Sequence, residues 1–355
     1  MQIVYGVALV LASAFAVVRG GHAQDTAVVP AVISFGDSSA DVGNNNNRPT
    51  AFKANYPPYG RDFVNHKPTG RFCNGKLATD ITAETLGFKT YVPAYLSPEA
   101  SGKNLLIGAN FASAASGYDD KAAIEKHAVP LPQQLQYFKE YQSKLAKVAG
   151  SNKSASIIKD ALYLLSGGTS DFLLNYYVND SINKVYTPDQ YGSYLISAFS
   201  SFVKGLYGLG ARKLGVTSLP PLGCLPAART LFSFHRSGCV SNINTDVQQF
   251  NKKLTSAAAN LQKQLPGLKI AVFDIFKPLY DLVVSPLSHG FVEATRGCCA
   301  TRTAETRIPL CNRRSPRACS NATQHVFWDS VHPSQAANEV LANSFLDAGF
   351  SLIFG

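Results

Sequence analysis

Four short runs rich in β-branched and aliphatic residues, at positions 31–35, 161–165, 213–218 and 268–273, are separated by stretches of helical length. That alternation predicts βα units around a parallel sheet. Apolar spacing of the helical kind marks 76–86, 131–149, 190–209, 246–265 and 335–347, and Gly210, Pro266 and Gly267 stand where helices stop. No internal repeat or low-complexity linker divides the chain. Four consecutive asparagines at 44–47 read as a polar loop rather than a prion-like tract.

The N-terminus departs from this pattern. Residues 7–18 are apolar, Arg19 follows, and the small residues Gly21 and Ala23 stand where a signal peptidase cuts. A run of about a dozen residues is too short to cross a membrane, so 1–23 reads as a secretory signal peptide. No later segment is long and apolar enough to span. Residues 24–355 are then one α/β domain, too long for a small disulfide scaffold.

The formal charge of +10 falls to +9 once Arg19 leaves with the signal. Basic residues are dispersed, with the densest group, Arg302, Arg307, Arg313, Arg314 and Arg317, in an expected loop. Nucleic-acid binding calls for basic charge interleaved with aromatics on one face, so that partner is not expected. A weak attraction to an acidic cell-wall polymer or anionic interface fits dispersed charge better.

Seven cysteines in a secreted chain imply disulfides with one thiol left over. Cys224 and Cys239 flank a loop bounded by Pro and Gly, while Cys298, Cys299, Cys311 and Cys319 cluster in another. The spacings required for a zinc site are missing, so structural bridges are expected and Cys73 is the odd thiol. Sequons at Asn152, Asn179 and Asn321 predict glycosylated surface positions.

Two motifs at opposite ends of the chain offer chemistry. Phe35-Gly36-Asp37-Ser38-Ser39 follows the first strand directly, and Asp329-Ser330-Val331-His332 precedes Pro333 and the last helix. A serine hydroxyl becomes a useful nucleophile when a histidine takes its proton and a carboxylate holds that histidine in one tautomer. Ser38 falls at the carboxyl edge of the sheet, where α/β enzymes build their sites. His332, pushed out of helical conformation by the proline after it, belongs to an extended loop with Asp329 one turn of chain away. Taken singly, Ser38 reads as a turn or N-cap serine and the other two as a cap and a loop histidine. The α/β-hydrolase elbow G-x-S-x-G is found nowhere in the chain.

With these residues in place the chain resembles the GDSL esterase/lipases of the SGNH hydrolase superfamily, in its secreted plant branch. The resemblance rests on six ordered blocks: FGDSSADVGNNN from Phe35, NYPPYG from Asn55, NFASAASGY from Asn110, GTSDF from Gly168, PPLGCLP from Pro220 and FWDSVHP from Phe327. It implies a three-layer α/β/α sandwich with a flavodoxin-like parallel sheet of about five strands. It also implies Ser38 as nucleophile, His332 as general base and Asp329 as its orienting partner, with no cofactor and no metal.

The family's oxyanion hole combines the N–H of the nucleophile, a glycine N–H from the NFASAASGY block and an asparagine amide from the GTSDF block. Here the implied donors are Ser38, Gly117 and Ser170, with the Ala115 N–H an equal alternative to Gly117 and Ser170 standing where the asparagine is expected. Serine keeps an O–H on a shorter stem, so it reads equally as a weaker donor or a neutral replacement. Asp37 and Asp171 read as turn-stabilising, Asn44 and Asn175 as loop-organising.

The expected function is a secreted, glycosylated hydrolase of carboxylic esters of lipid or small-molecule acyl groups, working through acyl-Ser38. Two alternatives stand beside it. In one, an acyltransferase uses the same acyl-enzyme; in the other, a catalytically weak wall or surface glycoprotein binds an acylated ligand.

Overall fold

The computed structural model describes residues 27–233, 238–299, 310–313 and 317–355. The expected signal peptide and Arg302, Arg307 and Arg314 lie outside them. Four strands, β1 (Val32–Gly36), β2 (Leu162–Ser166), β3 (Lys213–Thr217) and β4 (Lys269–Phe273), form a parallel sheet in that order. Val32 pairs with Leu162, and Leu162 in turn with Lys213. All five residues of β1 are buried, because helices cover both faces.

A fifth, irregular strand completes the sheet. Segment 109–113 runs along the free edge of β1: Ser34 N–H donates to the Ala109 carbonyl (3.3 Å), Phe111 N–H to that of Ser34 (2.7 Å) and Ser113 N–H to that of Gly36 (2.9 Å). In chain order the sheet therefore reads 2-1-3-4-5, the flavodoxin-like order. Its switch point lies between β1 and β2, where such folds place ligands.

Eleven α-helices occur among the described residues: α1 (Ala78–Thr85), α2 (Asp120–Glu125), α3 (Leu131–Ala149), α4 (Ser151–Asp160), α5 (Asp180–Asn183), α6 (Pro188–Gly208), α7 (Pro226–Phe232), α8 (Ser241–Gln264), α9 (Phe276–Val284), α10 (Gln335–Ser344) and α11 (Leu346–Phe354). Phe35 of β1 meets Phe138 of α3 and Phe202 of α6, and α6 packs on α8, which makes one outer layer. The other contains α1, α9, α10 and α11, joined to the sheet where Phe345 stacks on Phe273 of β4 at 5.0 Å. α6 starts on a capping box, in which the Gln190 N–H donates to Thr187 Oγ1 and the Thr187 N–H to Gln190 Oε1.

The helix expected over 335–347 is two, α10 and α11, which meet at Phe345. α2, α4, α5, α7 and α9 were not expected. None exceeds ten residues, and α4 and α9 each adjoin a stronger signal, the long α3 in one case and β4 in the other.

A separate parallel pair, β5 (Glu293–Gly297) and β6 (His325–Phe327), carries the chain into the second motif. It is stapled by disulfides Cys298–Cys319 and Cys299–Cys311, while Cys224–Cys239 closes the loop beside α7. Cys73 is the free thiol, fully buried, and burial pushes its pKa up to about 12. A small second core of Ala54, Tyr59, Phe72, Trp328 and the cysteines packs around this staple.

Arg71 and Asp80 are both buried and paired in two parallel bonds of 2.7 and 2.8 Å, which ties the segment before Phe72 to the first turn of α1.

Candidate active site

β1 ends in a tight turn that only glycine allows. Gly36 has φ +121°, and a Cβ there would fall 1.7 Å from the Ser166 carbonyl oxygen of β2. The Gln134 side chain of α3 holds the same peptide from the other side, accepting from the Gly36 N–H (2.8 Å) and donating to its carbonyl (2.9 Å). Asp37 continues the turn, with its N–H on the Ser166 carbonyl and its Oδ1 accepting from the Ser39 N–H. Ser38 is thereby presented at the carboxyl end of β1.

From the far end of the chain, β6 delivers Trp328 to a loop whose geometry Asp329 sets. Asp329 Oδ1 accepts from the N–H groups of Val331 (2.8 Å) and His332 (2.7 Å), an Asx turn that folds His332 back over the carboxylate. His332 Nδ1 lies 2.9 and 2.8 Å from the two Asp329 oxygens, and its Nε2 lies 2.7 Å from Ser38 Oγ. With Nδ1–H donating to a carboxylate, Nε2 is left as the acceptor for the serine proton. Asp329 has no solvent exposure, and Ser38 and His332 have 9 % and 6 %, so water competes little for these bonds.

The carboxylate has a further partner that the sequence did not single out. Tyr59 Oη donates to Asp329 Oδ2 at 2.7 Å and accepts from the Cys311 N–H at 3.2 Å. Burial, and then the Asp329 charge, push the Tyr59 pKa well above the usual phenol value, so it stays a donor. The NYPPYG block that contains it was legible, but its partner lies 270 positions on, beyond any local pattern. Tyr59→Phe should lower kcat about tenfold to a hundredfold with little change in KM, since bonds to charged groups contribute about 1.5–3 kcal/mol. Steady-state kinetics with a thermal melt as control would show this.

Ser38 and His332 open into a small pocket that is also lined by Ala115, Ser170, Phe72 and Leu310. Ala115 faces the nucleophile with φ +68°, a backbone state glycine takes more readily. Gly117 does not line this pocket. It backs onto Asp171, and a Cβ on it would sit 2.3 Å from the Asp171 carboxylate. Of the two residues weighed for the second oxyanion position, Ala115 lines the pocket that holds Ser38 and Gly117 does not. Ser170 reaches it as well, immediately before the turn of helix over Asp171–Val178.

The buried amides and acids organise the loops around the pocket. Asn44 Nδ2 donates to the carbonyls of Asn110 and Ala112, and Asn45 Nδ2 to those of Phe52 and Ala114. Asn175 Oδ1 accepts from Lys126 Nζ, and Asp171 accepts from the N–H groups of Tyr118 and Asp119. Burial pushes the pKa of Asp37 up to about 6 and that of Asp171 up to about 7, above the ordinary 3.8; Asp37 Oδ2 also lacks a hydrogen-bond partner.

A carboxyl whose folded pKa lies above its unfolded one stabilises fully below the unfolded value and loses that contribution as pH rises through the folded one. The fold should therefore be a few kcal/mol less stable at pH 8 than at pH 5, with about 1.4 kcal/mol for each pKa unit. Urea midpoints across that range should show the slope, and Asp37→Asn should flatten it.

Among the described residues, the only cluster with metal-ligand spacing is Cys298, Cys319 and His325, where the two sulfurs are joined to each other and are not thiolates. The three sequon asparagines, Asn152, Asn179 and Asn321, are all exposed. Arg313 stacks over the Tyr56 ring at 4.7 Å.

Ser38, His332 and Asp329 stand in hydrogen-bonded series at the switch point of a 2-1-3-4-5 parallel sheet, and fold and site together define the class as an α/β hydrolase. The chain belongs to the family described as GDSL-like lipase/acylhydrolase, which matches residues 32–345. It is 68% identical over 345 residues to the GDSL esterase/lipase APG of Arabidopsis thaliana, covering 97% of each chain. A second GDSL esterase/lipase of that plant is 54% identical over 342 residues, covering 96% of this chain and 97% of its own. Among solved structures, a catalytic mutant of an acetylxylan esterase from Geobacillus stearothermophilus aligns with 92% of this chain and 94% of its own, at 12% identity and a TM-score of 0.42. The protein is a carboxylic ester hydrolase.

Proposed function

We propose that this hydrolase works through an acyl-enzyme on Ser38. The carrying observation is the continuous chain from Ser38 Oγ through His332 to Asp329, with bonds of 2.7 and 2.8 Å. Ser38 Oγ attacks the ester carbonyl while its proton passes to His332 Nε2. The tetrahedral intermediate collapses as that proton moves to the departing alkoxide, releasing the alcohol. Water then repeats the sequence on acyl-Ser38 and releases the acid. The Ser38 and Ala115 N–H groups and the Ser170 hydroxyl hold the oxyanion.

The disulfides and the exposed sequons at Asn152, Asn179 and Asn321 support a secreted, glycosylated protein processed after residue 23. The substrate is a lipid or small-molecule ester. A fluorophosphonate probe tests the mechanism: it should label wild-type protein at Ser38 and leave Ser38→Ala unlabelled, and an unlabelled wild type would overturn the acyl-enzyme.

Ser170 carries its own prediction. Ser170→Ala should lower kcat and Ser170→Asn, with a longer amide donor, should raise it, each by at most the hundredfold to thousandfold, about 2.7–4 kcal/mol, that a full donor contributes. KM should stay nearly constant, because the charge develops only in the transition state. Kinetics matching wild type in both variants would assign the oxyanion to backbone N–H groups alone.

A further inference from the structure

The turn that carries Ala115 is held at both ends by a buried carboxylate. On one side stands Asp41, in the loop that presents Ser38, where its own N–H donates to the Asp37 carbonyl at 3.0 Å. Asp41 Oδ1 accepts from the N–H groups of Gly43 and Asn44 and so shapes its own loop, while Oδ2 reaches across to accept from the Ala114 N–H at 2.9 Å. On the other side stands Asp171, the residue after Ser170. Its Oδ2 accepts from the Tyr118 N–H at 2.7 Å and its Oδ1 from the Asp119 N–H at 3.2 Å.

Gly117 belongs to the same arrangement. Its φ is not left-handed, so backbone conformation does not demand a glycine there. Space does: a Cβ on Gly117 would lie within 2.5 Å of Cγ and both oxygens of Asp171. The bare Cα is the seat of that carboxylate, and a methyl group would push it away.

Between the two acids, Ala115 holds φ +68°, a state that a residue with a Cβ keeps only where its surroundings over-determine it. Asp41 fixes the residue before Ala115, and Asp171 fixes the third and fourth after it. The same bonds span the gaps between the three groups at the reacting centre. Asp41 ties the Ser38 loop to the Ala115 turn, and Asp171 ties that turn to Ser170.

We propose that Asp41 and Asp171 are positioning residues that set the spacing of Ser38, Ala115 and Ser170 around the oxyanion, with Gly117 as the seat of Asp171. The proposal rests on the acyl-enzyme reading above, in which those three residues supply the donors. Neither carboxylate lines the Ser38 pocket, so each acts through the backbone N–H groups it holds.

The test compares kcat and KM for p-nitrophenyl acetate with the Ki of hexyl trifluoromethyl ketone, whose adduct with a serine carries the charge of the tetrahedral intermediate. Asp171→Ala and Gly117→Ala should each lower kcat about tenfold to a hundredfold, as expected when donors shift by up to about 1 Å. KM should change little, and Ki should rise by the factor by which kcat falls, because both report charge that develops only on attack. The double variant Gly117→Ala/Asp171→Ala should lose no more than Asp171→Ala, since the methyl then has no carboxylate to displace. Asp41→Asn keeps a carbonyl for Gly43 and Asn44 and gives up the bond to Ala114. It should show the same pairing of kcat with Ki, and it decides the matter if the Asp171 variants do not fold. Variants that keep the wild-type Ki, whether kcat holds or falls with the folded fraction, would overturn the positioning role. Wild-type protein that the fluorophosphonate fails to label would overturn the acyl-Ser38 reading instead.

Discussion

Ser38→Ala and His332→Ala should each lower kcat by about 10⁶-fold, and Asp329→Ala by about 10⁴-fold, with the fold retained. The ranking follows from the roles. Without Oγ no acyl bond forms, and without Nε2 the hydroxyl keeps its proton; without Asp329 the imidazole can still accept a proton but loses its fixed tautomer and its counter-charge. Asp329 carries more than that bond, because the same oxygen anchors the N–H groups of Val331 and His332 and its neighbour holds Tyr59. Asp329→Asn is therefore the better probe of charge, since it keeps a carbonyl for the Asx turn. The double variant Ser38→Ala/His332→Ala should lose no more than either single change, because the two act on one proton transfer. Turnover of p-nitrophenyl acetate with thermal melts as controls measures this; near wild-type turnover in Ser38→Ala would sink the mechanism.

Arg71→Met should destabilise the fold by about 3–5 kcal/mol, because it leaves the Asp80 carboxylate buried without its counter-charge. The midpoint of thermal unfolding should fall by roughly 5–10 °C in a domain of this size. Arg71 also donates to Thr69 and stacks over Phe63 at 4.5 Å, so the loss reaches the loop that leads into Phe72, whose ring packs 4.9 Å from that of His332. Activity should decline with the folded fraction rather than ahead of it. Replacing both partners, Arg71→Met with Asp80→Leu, should recover much of the loss, since a buried pair exchanged for apolar groups is often close to neutral. A double variant no better than the single one would mean that the Leu77 N–H, which donates to Asp80 at 2.9 Å, is the larger part of the effect.

The strands and long helices were legible because the forces behind them are local. An apolar run flanked by helical lengths marks β1 to β4 within a residue at each end, and α3 falls on 131–149 as its periodicity required. The edge strand at 109–113 escaped periodicity because its backbone pairs with β1 through only a few bonds while its side chains serve the loops around the site. The serine, aspartate and histidine were legible too, since each sits in a short motif whose local turn is self-contained: the glycine turn ahead of Ser38 and the Asx turn from Asp329 to His332.

What the chain by itself determined is the sequence of βα units, the two motifs and the pairing potential of its cysteines, all set by interactions a few residues long. Tertiary structure decided which groups meet. Ser38 and His332 lie 294 positions apart, Tyr59 and Asp329 270, and Gln134 lies 98 from the Gly36 it clamps. It also decided that Ala115 rather than Gly117 lines the pocket that holds Ser38. Hydrogen bonding and dispersion act over a few ångströms of space, whatever the distance along the chain. Local pattern therefore specifies the elements, and only their packing specifies the contacts.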